Sequence, residues 1–360
     1  MTDAFFDPET LIAFVHRQIG EPAQGLEMDV RPLRGGLESP AVARVGARFR
    51  NGQGQPRLFS FVVKRLEGAP SREAEIYQTL VASAARDFSP AFLGVERLEQ
   101  DRCLLFLEPV RPARRWPWRE TEAAARVLER LALFHTTRVD EGSVPPLWDY
   151  EADLIASARE TLALLEALPK TAELRALRRS LPALRKVVAA LPEMRRHLLE
   201  LERLPRTVIH GDVHPGNALV RLRSSREHPV LLDWGRARIG SPLEDVSSWL
   251  QSLGFWEPQA RRRHDTLLVR YLAARGLPPC LDRDLRDAYW MAGASNALAG
   301  ALAYHLWRLE GAARGSAERG AALDAARDAL RVIRRADTCW RQARERRKSL
   351  PEGLPSPLPS

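Results

Sequence analysis

The sequence has few cysteines, no long apolar run, and no basic segment followed by an apolar one near its start. Its three cysteines, Cys103, Cys280 and Cys339, are too scattered to predict a disulfide framework or a zinc site. No stretch of about 18 apolar residues occurs, so we expect no membrane span. The acidic first residues do not match a secretion signal. These absences together predict a cytoplasmic protein without a membrane partner.

No cluster of basic and aromatic residues stands out either, although the chain is basic overall. It carries 55 Lys and Arg against 46 Asp and Glu, which gives a formal net charge of +9. Most of the basic residues are arginines distributed along stretches rich in alanine and leucine, as is typical of a solvated helical surface. We therefore predict no nucleic-acid partner. The pattern leaves the oligomeric state open.

The first part of the chain has a mixed helix and strand pattern. Residues 1–108 predict a helix at 7–19, with Asp7 as its N-cap and Pro8 in its first turn. A sheet and a further helix follow, and Ser71 is the predicted N-cap of that helix. The strands are predicted at residues 29–33, 41–50, 58–64, 95–99 and 103–107. We expect this part to form a small N-terminal lobe with an antiparallel sheet.

The remainder of the chain is dominated by a helical pattern. Residues 109–348 place leucine and alanine at helical spacing, and we expect a larger, mostly helical C-terminal lobe. Breaks in the long helical stretch of residues 150–202 are predicted at Pro169, Pro182 and Pro192. The Pro-rich residues 349–360 predict a disordered tail. The expected fold class is α+β with two lobes.

The most informative stretch lies between residues 207 and 236. A polar loop holding Asp212 and Asn217 leads into a predicted hairpin, and the second strand of that hairpin ends at Asp233. The hairpin would bring these three side chains close together. Carboxylate and amide oxygens are hard ligands that suit Mg²⁺ and phosphate chemistry. A base, a metal site and phosphate-binding groups are what phosphoryl transfer requires.

Two upstream features add phosphate-binding chemistry. Lys64 ends an apolar strand, and Glu73 on the following helix could pair with it, with Glu75 as the substitute partner. The predicted turn between the first two strands contains Gly36 and Ser39. Glycine lets backbone N–H groups approach a phosphate, and the serine would add a hydroxyl.

These motifs resemble those of the aminoglycoside phosphotransferase and choline kinase group, whose enzymes have the protein-kinase-like fold. The resemblance rests on residues 210–217, which read His-Gly-Asp-Val-His-Pro-Gly-Asn, and on 232–234, which read Leu-Asp-Trp. It extends over roughly residues 25–310, and the order of turn, lysine, glutamate, loop and aspartate also agrees. The resemblance implies a kinase that transfers the γ-phosphate of ATP, with Mg²⁺, to a hydroxyl of a small molecule.

The resemblance also implies a role for each matching residue. Asp212 corresponds to the catalytic base, and Asn217 and Asp233 to the Mg²⁺ ligands. Lys64 corresponds to the phosphate-binding lysine, with Glu73 as its partner. Glu108 and Val110 correspond to the hinge whose backbone would meet adenine. Gly36 and Ser39 correspond to the turn over the phosphates. Asp245 and His210 correspond to residues that brace the catalytic loop.

Two other functions remain open at this stage. His210, Asp212 and His214 have a His-x-Asp-x-His spacing that would suit a metal-dependent hydrolase, although the Pro-Gly after His214 favours a loop. The third hypothesis is a non-catalytic nucleotide-binding relative, for which the sequence gives no support because all the candidate catalytic residues are present.

The acceptor is not identified by the sequence. Sugars, amino alcohols and antibiotics are all candidates, but no dense acidic cluster matches a polycationic aminoglycoside. The acidic residues that could contact an acceptor are Glu257, Asp265, Asp282, Asp284, Asp287 and Glu310.

Overall fold

The fold is given by a computed structural model, which describes residues 6–20, 23–33, 41–99, 101–137 and 149–349. These residues form two compact units. The first consists of the described residues up to 117 together with 137 and 216–238, and the second consists of 118–136, 149–215 and 239–349. Each unit is described separately below.

The first unit is built on a five-stranded antiparallel sheet with the strand order β1-β2-β3-β5-β4. Its strands are β1 (Gln24–Pro32), β2 (Ala41–Arg50), β3 (Pro56–Glu67), β4 (Phe92–Glu99) and β5 (Arg102–Leu107). Every predicted strand is present, and most are longer than predicted. The antiparallel sheet predicted for the N-terminal region is therefore confirmed.

Helix α1 (Pro8–Ile19) packs on one face of this sheet. The Asp7 carboxylate accepts a hydrogen bond from the backbone N–H of Thr10 at 3.0 Å, which confirms the predicted N-cap. The buried Phe14 ring stacks on Phe106 at a centroid distance of 3.7 Å and meets the edge of Phe61 at 5.0 Å. The apolar face of α1 thus closes the core on this side of the sheet.

The helix that carries Glu73 changes type along its length. Helix α2 spans Arg72–Ile76 and continues as a π-helix over Tyr77–Ala85. The prediction that Ser71 caps it was wrong, because Ser71 itself has helical dihedral angles and its side chain makes no capping bond. A preceding 3-10 turn already bonds the Ser71 N–H to the Gly68 carbonyl at 2.9 Å, so the chain enters α2 in a helical conformation.

A hairpin later in the sequence belongs to the same unit. Strands β7 (Ala218–Arg223) and β8 (Arg226–Leu231) are antiparallel, and Ala218 pairs with Leu231. Ser224 and Ser225 form the turn with φ values of 50° and 63°, a left-handed pair that matches the twist of a two-residue hairpin. The predicted hairpin is confirmed, with longer strands and a tighter turn than expected.

The second unit is mainly helical. Its helices are α3 (Thr121–Thr136), α4 (Tyr150–Ala167), α5 (Arg175–Arg178), α6 (Leu181–Leu199), α7 (Pro242–Trp256), α8 (His264–Ala274), α9 (Arg283–Asn296), α10 (Leu302–Gly311) and α11 (Ala317–Ser349). A π-helical segment, Ala297–Ala301, joins α9 to α10. This unit also contains strand β6 (Thr207–Ile209), and strand β9 (Arg238–Gly240) begins at the last residue of the first unit.

Two of the predicted proline breaks are confirmed and one was wrong. Helix α4 ends at Ala167, before Pro169, and α5 ends at Arg178, before α6 starts with Pro182 in its first turn, where the missing N–H loses no helical bond. Pro192 lies inside α6, which continues through it. Leu191 and Met194 flank this proline and are both buried, so packing stabilises a turn that lacks one backbone hydrogen bond.

Other expectations concern the chain as a whole. None of the described helices has both the length and the apolar character needed to cross a bilayer. All three cysteines are free thiols, with Cys103 and Cys339 buried and Cys280 exposed. Except for Ser349, which ends α11, the predicted disordered tail lies outside the described residues.

We predict that Phe14→Ala will lower the stability of the protein by about 3–5 kcal/mol, because it empties the space between α1 and the sheet. Urea unfolding followed by circular dichroism measures this change. Ile12→Ala is the matched control, since Ile12 lies on the same helix but is 37% exposed. Equal losses for the two variants would contradict the proposed role of Phe14 in the core.

Candidate active site

Three of the predicted residues meet around one buried ammonium group in the first unit. The Lys64 Nζ lies 2.5 Å from Glu73 Oε2 and 3.2 Å from Asp233 Oδ1. Glu73 is 2% exposed and Lys64 is 9% exposed. Glu75, the substitute partner, lies instead 3.8 Å from Arg97. The structure therefore pairs Lys64 with Glu73.

The charge state of Lys64 follows from these contacts. Burial alone would lower the pKa of the ammonium, but Glu73 and then Asp233 favour the charged form, and the net effect raises the pKa of Lys64. The group therefore stays cationic at neutral pH. A cation with donors to two carboxylates fits the chemistry of a phosphate-binding lysine.

The hairpin brings Asn217 and Asp233 to the same end. The Leu232 N–H donates to the Asn217 carbonyl at 2.8 Å, one residue beyond the last strand pair. Asp233 then adopts a left-handed conformation with φ 62°. Its neighbour Trp234 is fully buried, and the indole N–H of Trp234 donates to the Leu231 carbonyl at 3.1 Å. Local hydrogen bonds thus fix the direction in which the Asp233 carboxylate leaves the strand.

This pair of residues fits a hard divalent cation. The Asp233 side chain is 35% exposed, and only its Oδ1 is engaged by Lys64. Its Oδ2 makes no hydrogen bond to any other residue that the structure describes. A carboxylate oxygen next to an amide-bearing residue provides the oxygen ligands that Mg²⁺ prefers.

The predicted hinge lies directly after β5. The Glu108 N–H donates to the Ala91 carbonyl at 2.9 Å, and its carboxylate accepts from the Ala91 N–H at 3.0 Å and from Arg221 at 2.9 Å. Within the described part of the chain, the backbone N–H of Val110 has no hydrogen-bond acceptor. The predicted Gly36 and Ser39 fall outside the described residues.

Contacts to the hairpin fix the hinge segment further. Arg221 on β7 bonds Glu108, the Ala113 N–H donates to the Val220 carbonyl at 2.6 Å, and Arg114 pairs with Glu227 on β8 at 2.9 Å. The hinge and the hairpin that carries Asn217 and Asp233 are therefore bonded to each other at three points.

Asp212 belongs to the second unit, in a loop that Asp245 holds. The Asp245 carboxylate accepts hydrogen bonds from the backbone N–H groups of His210 at 2.8 Å and Gly211 at 2.7 Å. The Asp212 N–H in turn donates to the His210 Nδ1 at 3.2 Å. Gly211 has φ 83°, a conformation that favours glycine. The Asp212 side chain is 36% exposed, and the His214 Nε2 lies 3.7 Å from it.

Asp245 lies near the start of α7 but is not its N-cap. Ser241 caps α7 and forms a capping box with Glu244, which leaves Asp245 fully buried beyond the cap. Sequence reasoning also missed His135, whose Nε2 lies 3.1 Å from Asp245 and whose Nδ1 lies 2.8 Å from the Tyr271 hydroxyl. No spacing signal marks His135, because it comes from a helix 110 residues away.

The protonation states in this buried cluster are mutually consistent. Burial lowers the pKa of His135, so the imidazole is neutral and its Nε2–H donates to Asp245. Burial alone would raise the pKa of Asp245, but the hydrogen bond from His135 and the donors of the loop outweigh it and lower that pKa. Burial also raises the pKa of Tyr271, which keeps its O–H as a donor to His135.

Comparison with known proteins identifies the family to which the chain belongs. A model of the phosphotransferase enzyme family matches residues 29–290. The chain belongs to this family. No curated protein sequence matches it. The resemblance on residues 210–217 and 232–234 is therefore confirmed at the level of the family.

The solved structures that are similar to this phosphotransferase include other phosphotransferases and a small-molecule kinase. A candidate aminoglycoside phosphotransferase of Ralstonia eutropha is 18% identical with a TM-score of 0.56, and the match covers 92% of this chain and 99% of that one. An ethanolamine kinase of Plasmodium vivax is 10% identical with a TM-score of 0.56, covering 92% and 91%. A spectinomycin phosphotransferase, solved with ADP and spectinomycin, is 11% identical with a TM-score of 0.51, covering 92% and 99%. These likenesses confirm the protein-kinase-like α+β fold.

We predict that Lys64→Met will destabilise the protein by about 3–5 kcal/mol, because it leaves the Glu73 carboxylate buried without its partner. The double variant Lys64→Met with Glu73→Leu should recover part of this loss. Urea unfolding measures both variants, and Lys170→Met, at an exposed position, should change stability by less than about 0.5 kcal/mol. Additive losses in the double variant would show that the two side chains do not interact.

The Asp245 cluster predicts a specific pH dependence. A carboxyl whose pKa is lowered by folding contributes stability above its ordinary value of 3.8, and that stability is lost as the pH falls through the folded pKa. Asp245→Asn should therefore cost about 3–5 kcal/mol at pH 7, and the gap from wild type should shrink below about pH 4. Urea midpoints between pH 3 and pH 7 measure this. A gap that does not change with pH would contradict the ionised state of Asp245, and the exposed Asp265→Asn serves as the control.

Proposed function

We propose that this phosphotransferase moves the γ-phosphate of ATP, with Mg²⁺, to a hydroxyl of a small molecule. The observation that carries the proposal is the buried Lys64 ammonium held between Glu73 and Asp233. A lysine fixed by one carboxylate beside a metal-binding aspartate is the arrangement that phosphoryl transfer uses to grip phosphates. In this proposal, residues 1–108 form the nucleotide-binding lobe, and residues 109–348 form the helical lobe with the catalytic loop and the acceptor site.

The nucleotide is assigned to the first unit. Lys64 would bind the phosphates, with Glu73 holding its ammonium in place. The Val110 N–H, which has no acceptor among the described residues, and the backbone of Glu108 would meet the adenine edge, and the predicted turn with Gly36 and Ser39 would cover the phosphates. The ADP bound to the spectinomycin phosphotransferase supports nucleotide binding in a protein of similar fold.

Asn217 and Asp233 would hold Mg²⁺ through their side-chain oxygens. The bound ion would neutralise charge that develops on the phosphates during transfer. The Asp233 side chain is partly exposed, and its Oδ2 has no hydrogen-bond partner among the described residues, which supports this assignment. Lys64 shares the Asp233 carboxylate, so it would orient the ligand oxygen toward the phosphates.

Asp212 would act as the catalytic base that orients the acceptor hydroxyl and accepts its proton. Its loop is held by Asp245 from inside the unit, while the Asp212 side chain itself is partly exposed. This combination supports a carboxylate that is fixed in place but open to a substrate.

The acceptor is proposed to be a small hydroxyl compound that is not a polycation. Most of the acidic side chains that could contact it form ion pairs with arginines. The pairs are Glu257 with Arg119, Asp265 with Arg286, Asp282 with Arg203, and Asp284 and Asp287 with Arg346. Because these carboxylates are already neutralised, they disfavour a polycationic aminoglycoside. Sugars, amino alcohols and other antibiotics remain candidates.

The hydrolase hypothesis is less favourable in this geometry. A zinc site on residues 210–214 would need a free imidazole nitrogen on each histidine. The Nδ1 of His210 instead accepts the Asp212 N–H, and His210 is fully buried. This contact supports the loop-bracing role for His210 over a metal-binding one.

We predict that Asp212→Ala will lower turnover by about 10²–10⁴-fold while ATP affinity is retained, because the phosphate-binding groups are untouched. ADP release from ATP and Mg²⁺ is first screened against choline, ethanolamine, spectinomycin, aminoglycosides, monosaccharides and homoserine. The variant is then compared on whichever acceptor is consumed.

Asp265→Asn is the control for this experiment, since Asp265 is an exposed aspartate in the same unit. Turnover at the wild-type rate in Asp212→Ala would refute the base assignment. Tight nucleotide binding with no acceptor consumed across the panel would favour the non-catalytic hypothesis.

A further inference from the structure

Arg72, next to Glu73 on α2, makes two contacts that the proposed reaction does not itself use. Its Nη1 donates to the Gly235 carbonyl at 2.7 Å, and its Nη2 donates to the Ala237 carbonyl at 2.8 Å. Both carbonyls belong to the segment that follows Asp233. One side chain of α2 therefore grips the backbone of this segment at two points.

The segment needs such support because of its backbone conformation. Asp233 has φ 62° and ψ 71°, a left-handed conformation that is unfavourable for a residue with a side chain. A conformation of this kind persists only where surrounding contacts hold it. Trp234 anchors the segment from the hairpin side, and Arg72 is the anchor from the α2 side.

Glu73, the next residue of α2, also approaches the segment closely. A Cβ atom added at Gly235 would lie 3.4 Å from the Glu73 Cβ and 3.9 Å from the Asp233 Oδ1. Adjacent residues of α2 thus make different contacts to one loop. Glu73 reaches Asp233 through Lys64, and Arg72 reaches the two carbonyls directly.

We infer that Arg72 is a positioning residue: its two-pronged contact locks the segment after Asp233, and so sets the direction of the Asp233 carboxylate toward the metal. The metal part of this inference rests on the proposed function, whereas the locking of the segment does not. The planar guanidinium is required, because its Nη1 and Nη2 are held apart in one plane and reach the two carbonyls separately, whereas a lysine offers a single nitrogen on a shorter side chain.

The charge state of Arg72 is compatible with this role. Burial, followed by the positive charge of Arg238, lowers the pKa of Arg72 to about 10. The group is still protonated at neutral pH. Its carbonyl contacts provide acceptors for a cation that is partly removed from water.

The test compares Arg72→Gln and Arg72→Lys with Arg97→Gln, which replaces an exposed arginine in the same unit whose guanidinium lies 3.8 Å from Glu75. Amide hydrogen exchange in the nucleotide-free protein measures directly how firmly the segment after Asp233 is held. The Ala237 amide, which bonds to the Trp234 carbonyl at 2.9 Å, should exchange about tenfold faster in both Arg72 variants and at the wild-type rate in Arg97→Gln.

A second measurement addresses the metal. Binding of Mn²⁺ with ADP, followed by water proton relaxation, should weaken about tenfold in the Arg72 variants. ADP affinity without metal should stay within about twofold of wild type. A purely structural role would lower the melting temperature and leave the ratio of these two affinities unchanged.

The outcomes separate the two ideas. Full restoration by Arg72→Lys, or unchanged Ala237 exchange in both variants, would overturn the lock. Faster exchange with an unchanged affinity ratio would overturn its link to the metal. If the wild-type protein binds no Mn²⁺ with ADP, the proposed function fails, while the exchange result still tests whether Arg72 holds the segment.

Arg72→Lys keeps the charge and most of the side-chain length, so it serves as the folded comparison if Arg72→Gln is unstable.

Discussion

The buried ammonium of Lys64 is the constraint on which the rest of the candidate site depends. A charge removed from water is costly unless oppositely charged groups surround it. Here the compensation comes from Glu73 on α2 and Asp233 at the end of the hairpin. Strand β3, helix α2 and the hairpin must therefore all be in place before the lysine can be buried. The charge that would bind phosphate thus also specifies how these elements of the first unit pack.

Both units use one device to fix the loop that carries a candidate catalytic carboxylate. In the first unit the cation of Arg72 holds two backbone carbonyls after Asp233. In the second the anion of Asp245 holds two backbone N–H groups before Asp212. The side chain is in each case on a helix remote in sequence, and its charge is opposite to the partial charge of the backbone groups that it binds. Each loop has few local hydrogen bonds among the described residues, such as Ala237 N–H to Trp234 carbonyl and Asp212 N–H to His210 Nδ1, and the charged side chain adds two more.

The sequence predicted the elements of the first unit and the local motifs well, for physical reasons. Alternating apolar residues marked the strands, and Asp7 with Pro8 marked the start of α1. The hairpin was visible because two apolar strands flank a polar turn. The failures have equally local causes. Ser71 is the last residue of a 3-10 turn that the sequence pattern does not reveal, and Pro192 is tolerated because its neighbours are buried.

Most contacts between residues that are far apart in the chain could not be predicted from the sequence. The pairing of Lys64 with Glu73 rather than Glu75 depends on which face of α2 turns inward, and the short helix carries too little pattern to decide this. No sequence pattern links His135 to a partner, yet it lies between Tyr271 and Asp245. Arg72 was one of many arginines in a chain rich in them. Its role depends on two backbone carbonyls. Every residue has such a carbonyl, so the sequence does not show which ones accept a hydrogen bond.

One signal for Lys64 was nevertheless present in the composition. The chain has 55 Lys and Arg residues but only four lysines, at positions 64, 170, 186 and 348, so arginine is its default cation. Lys64 is the single lysine in the first 169 residues. An arginine suits exposed ion pairs and forked contacts to carbonyls, as Arg72 shows. A compact ammonium can instead donate to Glu73 and Asp233 and keep a third donor for a phosphate oxygen. In a chain that uses arginine for nearly all its basic residues, the lysine at this position is therefore best explained by a site that a planar guanidinium would not fit.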